Sequence, residues 1–433
     1  MDDVVTQKPE DRPSPSPAPA DASSAPDVAR EMRMTSYNPA LDGIRAIAIL
    51  AVMGTHYGWR GHPALPNGKL GVDAFFVLSG FLITTLLLVE WDRNGRISLR
   101  KFYARRALRL LPLLAVILLV AVVINLTTQQ HNTPGRPDIG HILGTAFYYD
   151  NWWHFVRPSH PGFLTPAWSL AIEEQFYLIW PIMLIGLLSL GLRKRGLLLI
   201  VIGGAAASAI WRHHMVTAAG TPTFVDFYRL MTAGRRVDTG WTTTAVRADH
   251  AYFRTDTRAD MLLVGCAVAI ALLWLGPRIT PFMRRFINAA AIVAGGVVLL
   301  FMLNVIADEG HMLLRWGGVV FEICVAAVIV AVATSRHTGV SKLLAIAPLV
   351  WIGRRSYGIY LVHVFVFKFL GRNVINLGEW GSLVFAFACV FAIAGLSYRY
   401  IEEPALRLKD RFSATGAPDS PFTHQPEPAL RSS

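Results

Sequence analysis

The sequence predicts an all-α protein that crosses a membrane about ten times, with both termini on the cytoplasmic side. Three observations carry this. Of 433 residues, 53% are hydrophobic and only 16% charged, where soluble domains usually carry about 25% charge; mean hydropathy is +0.41. Apolar stretches of membrane-spanning length recur along most of the chain. Basic residues collect in alternate short loops, which sets orientation. The net charge of +12 therefore points to anionic lipid or anionic cofactors at the inner face of a bilayer, not to nucleic acid.

The ends differ from the middle. Residues 1–36 are rich in Pro, Ala, Ser and Asp and lack the basic start and apolar core of a secretory signal. The tail 411–433 is similarly polar. Both are predicted to be disordered, around a transmembrane domain at 37–410.

Spans are predicted at 41–59, 70–90, 107–126, 168–190, 196–211, 259–276, 286–305, 313–334, 346–369 and 381–401. Arg93, Arg96, Arg100, Lys101, Arg105 and Arg106 mark the loop after the second span as cytoplasmic. Alternation then puts Arg193 to Arg195, Arg284 and Arg285, Arg336 and Lys342, and Arg407 on that same side. The aromatic stretch 141–156 fits this pattern only as an interfacial or re-entrant segment. The long loop 212–258 falls on the outer side and reads as an acceptor-side cap. Cys266, Cys324 and Cys389 lie in apolar runs without metal or disulfide spacing and read as packing residues; no metal site is predicted.

Ionisable groups at membrane depth point to function, because an unpaired polar group is costly in hydrocarbon. The first span, LDGIRAIAILAVMGTHYGW, carries Asp42, Arg45 and His56. Arg45 and His56 are eleven residues apart, so they share a helix face roughly 16 Å apart along the axis. Arg106 and Arg109 are spaced to share a face too, either as a phosphate-gripping fork or as snorkelling anchors. Asp73 lies in GVDAFFVLSGFL among small residues that permit close helix contact. Glu173 and Glu174 come one turn into a helix that starts after Pro166. His363 is a second histidine at membrane depth, catalytic or a satisfied core position.

Together, LDGIRAIAILAVMGTH, GVDAFFVLSGFLITTLL, FYARRALRLLP, PAWSLAIEEQFYLIWP, TRADMLLVG, SYGIYLVH and YIEEPALR, in this order, resemble the acyltransferase-3 family of integral-membrane acyltransferases. The resemblance covers residues 37 to 410. It implies a multi-pass protein of the bacterial inner membrane that transfers an acyl group, commonly acetyl from acetyl-CoA, to a hydroxyl of a carbohydrate-containing acceptor. The family's Arg or Lys, ten intervening residues and His fall on Arg45 and His56, and its Arg-x-x-Arg on Arg106 and Arg109. The Ile-Glu-x-Pro-x-x-Arg signature falls on Glu402 and Arg407, and TRADMLLVG contributes Arg258 and Asp260.

The resemblance implies His56 as catalytic base, oriented by Glu174, Asp73 or Glu402 in that order, with Arg45, Arg106 and Arg109 binding the acyl-CoA co-substrate. Glu173, Arg258, Asp260, His363, Glu402 and Arg407 are structural or substrate candidates, Glu402 with Arg407 as partner. Direct transfer and an acyl-histidine intermediate both remain open. Many relatives append an extracytoplasmic hydrolase-like domain, so the expectation is a protein that acts alone or with an extracytoplasmic partner. A transporter or flippase for an acylated or glycosylated substrate is the competing class.

Overall fold

The computed structural model describes residues 37–59, 62–128, 135–156, 161–218, 251–306, 313–336, 338–369 and 377–408. The two tails predicted as disordered, and most of the predicted 212–258 cap, lie outside the described residues. Helices dominate. They are α1 (Pro39–His56), α2 (Leu70–Asn94), α3 (Leu99–Thr127), the short α4 (Ile139–Ala146) and α5 (Asp150–Val156), α6 (Ala167–Ser189) and α7 (Lys194–Ala218). There follow α8 (Ala259–Leu275), α9 (Pro281–Met302), α10 (Gly318–Thr334), α11 (Gly339–Leu344), α12 (Ala347–Arg354), α13 (Ser356–Phe369), α14 (Gly378–Ser397) and α15 (Glu403–Leu408). The one β-pairing described joins Gly58–Trp59 to His62–Pro63 just after α1.

Local chemistry sets many of the starts. Asn38 accepts from Ala40 N with Pro39 in the first turn of α1, and Ser98, Asp138 and Thr280 cap α3, α4 and α9 in the same way. Among the described residues, seven helical stretches are long and apolar enough to cross a membrane. They comprise α2, α3, α6, α9, nearly all of α7, Leu314–Thr334 around α10, and Trp380–Leu408 through α14 and α15. The predicted spans over α1, α8 and α13 coincide with helices of 18, 17 and 14 residues. The predicted span 346–369 is not one helix: it breaks at Arg355 into α12 and α13. The stretch 141–156 holds most of the eight-residue α4 and all of the seven-residue α5, each too short to span a bilayer.

The packing has a clear centre. In α2, 83% of the apolar window is buried within the protein, against 22% in α9, so α2 is the central post and α9 peripheral. Leu119, Val123 and Leu126 of α3 stay exposed, as side chains that face lipid do. Small residues let backbones touch. A Cβ on Gly80 would stand 1.9 Å from the Leu262 carbonyl oxygen, and one on Gly265 would stand 2.0 Å from that of Val77, so α2 and α8 meet backbone to backbone. Gly353 meets the Asp42 carbonyl as closely, which fixes α12 against the start of α1. Cys266 is buried in this packing, and Cys324 and Cys389 are half-buried free thiols.

Candidate functional site

Helix α1 carries all three residues that its sequence singled out, Asp42, Arg45 and His56. At its start, Asp42 Oδ1 takes a hydrogen bond from Arg45 Nη1 at 2.8 Å, and Asp42 Oδ2 one from the Tyr37 hydroxyl at 2.8 Å. Arg354 of α12 donates to that hydroxyl at 2.8 Å. Arg45 is thus held by a carboxylate that Tyr37 holds in turn, with Arg354 Nε 3.9 Å from the same carboxylate.

Arg45 lines a cavity of about 110 Å³ together with Arg106 and Arg109 of α3. Ser79 and Phe76 of α2, Ser169, Glu173 and Tyr177 of α6, and Ser356, Tyr357 and Tyr360 of α13 also line it, among apolar side chains of α2, α3 and α6. The i, i+3 spacing brings both α3 arginines to one face, as predicted. Arg106 Nη2 donates to Glu174 Oε1 at 2.9 Å, and its guanidinium lies 3.4 Å over the Tyr177 ring. Its Nε is buried without a hydrogen-bond partner, an orphan donor in a wall of three guanidiniums. Such a wall suits phosphate or another anion.

The cavity ends where the Tyr360 hydroxyl pairs with the Ser169 hydroxyl and donates to Pro166 O at 3.0 Å. Beyond it, one turn along α13, stands His363, with ring centroids 5.7 Å apart. His363 Nδ1 lies 2.7 Å from Tyr360 O and 3.2 Å from Ile359 O. Two carbonyls accept and never donate, so hydrogen-bond partners assign the proton to Nδ1 and leave Nε2 an acceptor. That Nε2 is 3.3 Å from His56 Nδ1, which is also 3.0 Å from Val52 O. His56 Nδ1 faces two acceptors and must itself carry a proton. Neutral His56 therefore presents Nε2 as a lone pair, with no hydrogen-bond partner among the described residues. This is the tautomer that a general base needs.

The three carboxylates expected to orient His56 all face other partners. Glu174 is turned to Arg106, Asp73 pairs with Arg258 at 3.2 Å, and Glu402 accepts from Ser397 at 3.3 Å. No carboxylate among the described residues bonds to His56; His363, 307 positions away in the chain, takes that place. Arg407 does not partner Glu402 either. It reaches Glu403 at 3.1 Å, with 77% of its side chain exposed, because the i, i+4 step on α15 selects the neighbouring residue. Glu173, one residue before Glu174 and so about 100° around the helix, instead accepts from Ser79 at 2.8 Å.

A buried charge cluster adjoins the start of α2. Arg212 of α7 reaches Asp260 at 2.7 Å and Glu322 of α10 at 3.3 Å, while Arg258 holds Asp73. It draws α2, α7, α8 and α10 together. Arg212 and Glu322 escaped the sequence reading, although a lone carboxylate inside the apolar run GVVFEICVAAVIVAVAT was the signal that could have found Glu322. No sequence signal marks Ser169, Tyr177 and Tyr360, since hydroxyls in an aromatic-rich helix carry no spacing signature.

Comparison with known proteins decides the family. An acyltransferase domain model matches residues 38–399. The chain belongs to the acyltransferase-3 family, and with its apolar helices it is a multi-pass membrane protein. It is 35% identical over 382 residues to the peptidoglycan O-acetyltransferase OatA of Listeria monocytogenes, covering 85% of this chain and 56% of that protein. It is 32% identical over 386 residues to the putative peptidoglycan O-acetyltransferase YrhL of Bacillus subtilis, covering 85% and 55%. A putative O-acetyltransferase of Staphylococcus aureus is 32% identical over 388 residues, covering 85% and 57%. The chain spans little more than half the length of these relatives. No solved structure matches it. The transporter expected as an alternative gains no support from relatives with these names.

Proposed function

We propose that the protein is a membrane O-acyltransferase of the bacterial inner membrane that moves acetyl from acetyl-CoA to a hydroxyl of a carbohydrate acceptor, in the class to which peptidoglycan belongs. The observation that carries this reading is a single helix, α1, with Arg45 in the arginine cavity at one end and His56, its Nε2 lone pair open, at the other. The loop charges support ten crossings with both termini cytoplasmic. That orientation gives the cavity to the compartment of acetyl-CoA and His56 to that of the acceptor.

The chemistry follows from the groups. Arg45, Arg106 and Arg109 hold the anionic nucleotide and pyrophosphate of the co-substrate, and its arm points toward His56, which requires the Tyr360–Ser169 pair at the cavity end to part. The acceptor hydroxyl gives its proton to His56 Nε2 as its oxygen attacks the thioester carbonyl carbon. The C–S bond breaks as the tetrahedral intermediate collapses, and His56 returns the proton to the departing thiolate. Val52 O and His363 Nε2 together keep the proton of His56 on Nδ1 throughout.

Purified protein supplied with radiolabelled acetyl-CoA and a panel of soluble glycans and lipid-linked sugars tests the proposal. Labelled saccharide is expected from wild type and not from His56→Ala. Arg106→Ala combined with Arg109→Ala is expected to weaken acetyl-CoA binding by about tenfold or more. Equal product from His56→Ala, or unchanged affinity in the double variant, overturns the respective assignment.

A further inference from the structure

The segment of residues 251–258, just before α8, sits at the His56 end of the bundle, because Arg258 pairs with Asp73 at the start of α2. Its rings continue inward. Tyr252 and Phe253 both pack 5.0 Å from Trp168, the neighbour of Ser169 at the cavity end. Its outward side carries a different arrangement. Arg254 grips Asp256 with two bonds, Nε to Oδ1 at 2.8 Å and Nη2 to Oδ2 at 2.6 Å. Asp256 Oδ2 also accepts from the indole N–H of Trp211 at 3.1 Å. The Arg254 guanidinium lies 5.4 Å from the ring of Trp152, whose own N–H donates to Gln175 at 3.3 Å.

We propose that Trp152, Trp211, Arg254 and Asp256 form a saccharide platform that holds the carbohydrate acceptor for transfer. The inference rests on the acyltransferase reading and names the acceptor's seat within it. A pyranose offers flat C–H faces and hydroxyls at its edges, so its recognition needs rigid aromatic faces beside planar polar groups. Here both are present and fixed. The two indoles remain 37% and 41% exposed, while their N–H groups are already committed to protein acceptors. Indoles that merely anchor a helix at the membrane surface keep that polar edge for water and headgroups. The ion pair between them is open to water, with 28% of the Arg254 and 42% of the Asp256 side chain exposed. Arg254 uses two of its five N–H groups on Asp256, which leaves three for sugar oxygens. Against the upward push of burial, the Arg254 guanidinium holds the Asp256 carboxyl below the usual carboxylate range, so it stays an acceptor at mildly acidic pH.

Chitotetraose titrated onto the full chain in lipid nanodiscs, read by saturation-transfer NMR, tests the platform. Wild type is expected to bind saturably, and Trp211→Ala and Arg254→Ala each to weaken binding by about tenfold, with Trp211→Phe in between and acetyl-CoA affinity unchanged. No saturable binding to wild type, or equal binding by the variants, overturns the platform; equal binding with a lowered melting temperature identifies the indoles as membrane anchors. Saccharide binding without acetyl-CoA turnover in wild type leaves the platform standing and removes the acyltransferase reading. Turnover with unaltered saccharide binding in the variants does the reverse.

Discussion

Replacing His363 with Ala should separate a positioning histidine from a reacting one. The His56 Nδ1 proton lies between Val52 O at 3.0 Å and His363 Nε2 at 3.3 Å. Removing His363 therefore leaves a closer acceptor in place, and the tautomer with an open Nε2 survives. What is lost is one long, shared hydrogen bond, about 0.5–1.5 kcal/mol, and an edge-on ring contact at 5.0 Å between centroids, worth a similar amount. A loss near 2 kcal/mol corresponds to a fall of roughly 30-fold in kcat, with KM for acetyl-CoA unchanged because the arginine cavity is untouched. Loss of the base itself costs about 10²–10⁴, so His56→Ala is expected to be the more severe change. The double variant is expected to be no slower than His56→Ala alone, since a positioning residue has nothing to position once the base is gone. Steady-state acetyl transfer by the three purified variants measures this. A His363→Ala enzyme within twofold of wild type, or a double variant in which the two losses multiply, refutes the reasoning.

Two further outcomes concern the scaffold. Gly80→Ala puts a Cβ 1.9 Å from the Leu262 carbonyl oxygen, so α2 and α8 must part by more than an ångström; the overpacking cost of about 1–3 kcal/mol exceeds the roughly 1 kcal/mol that alanine contributes to helix propensity. Thermal unfolding in detergent is expected at lower temperature, and an unchanged or raised midpoint contradicts the contact. Arg212→Met strands Asp260 and Glu322 in the protein interior and is expected to cost about 3–5 kcal/mol, part of which Glu322→Gln in the same chain should restore. Equal midpoints for the single and double variants would mean that Glu322 does not depend on Arg212.

Much of this site was legible residue by residue, and its assembly was not. The eleven-residue interval from Arg45 to His56 and the three-residue interval from Arg106 to Arg109 are periodic facts, and a helix turns them into faces without help from the rest of the chain. Partnership across helices is another matter. Nothing in SYGIYLVH states that His363 reaches His56, because helix rotation and depth are set by packing such as the meeting of Gly353 with Asp42. The same holds for Glu173 and Glu174: adjacent carboxylates point about 100° apart, and which of them meets Arg106 depends on how α3 lies on α6. The break at Arg355 was hidden for a different reason. Residues 346–369 contain no internal proline past Pro348, and hydropathy averages over the interruption that separates α12 from α13. Likewise, YIEEPALR shows two glutamates and an arginine, but only the helical step of α15 decides that Glu403 takes Arg407.

Because α1 is one unbroken helix, Arg45 and His56 belong to a single rigid rod, and the interval between them, roughly 16 Å at 1.5 Å per residue, works as a gauge. The rod measures what it is given. On the proposed function, a thioester with a long carrier, gripped at its charged end, would deliver its acyl carbon to the imidazole, whereas a short thioester would not satisfy both ends at once. Carrier selection would then be built into helix length itself. Inserting one residue between Arg45 and His56 would swing the base through about 100° and spoil the gauge while leaving every side chain of the site in the sequence.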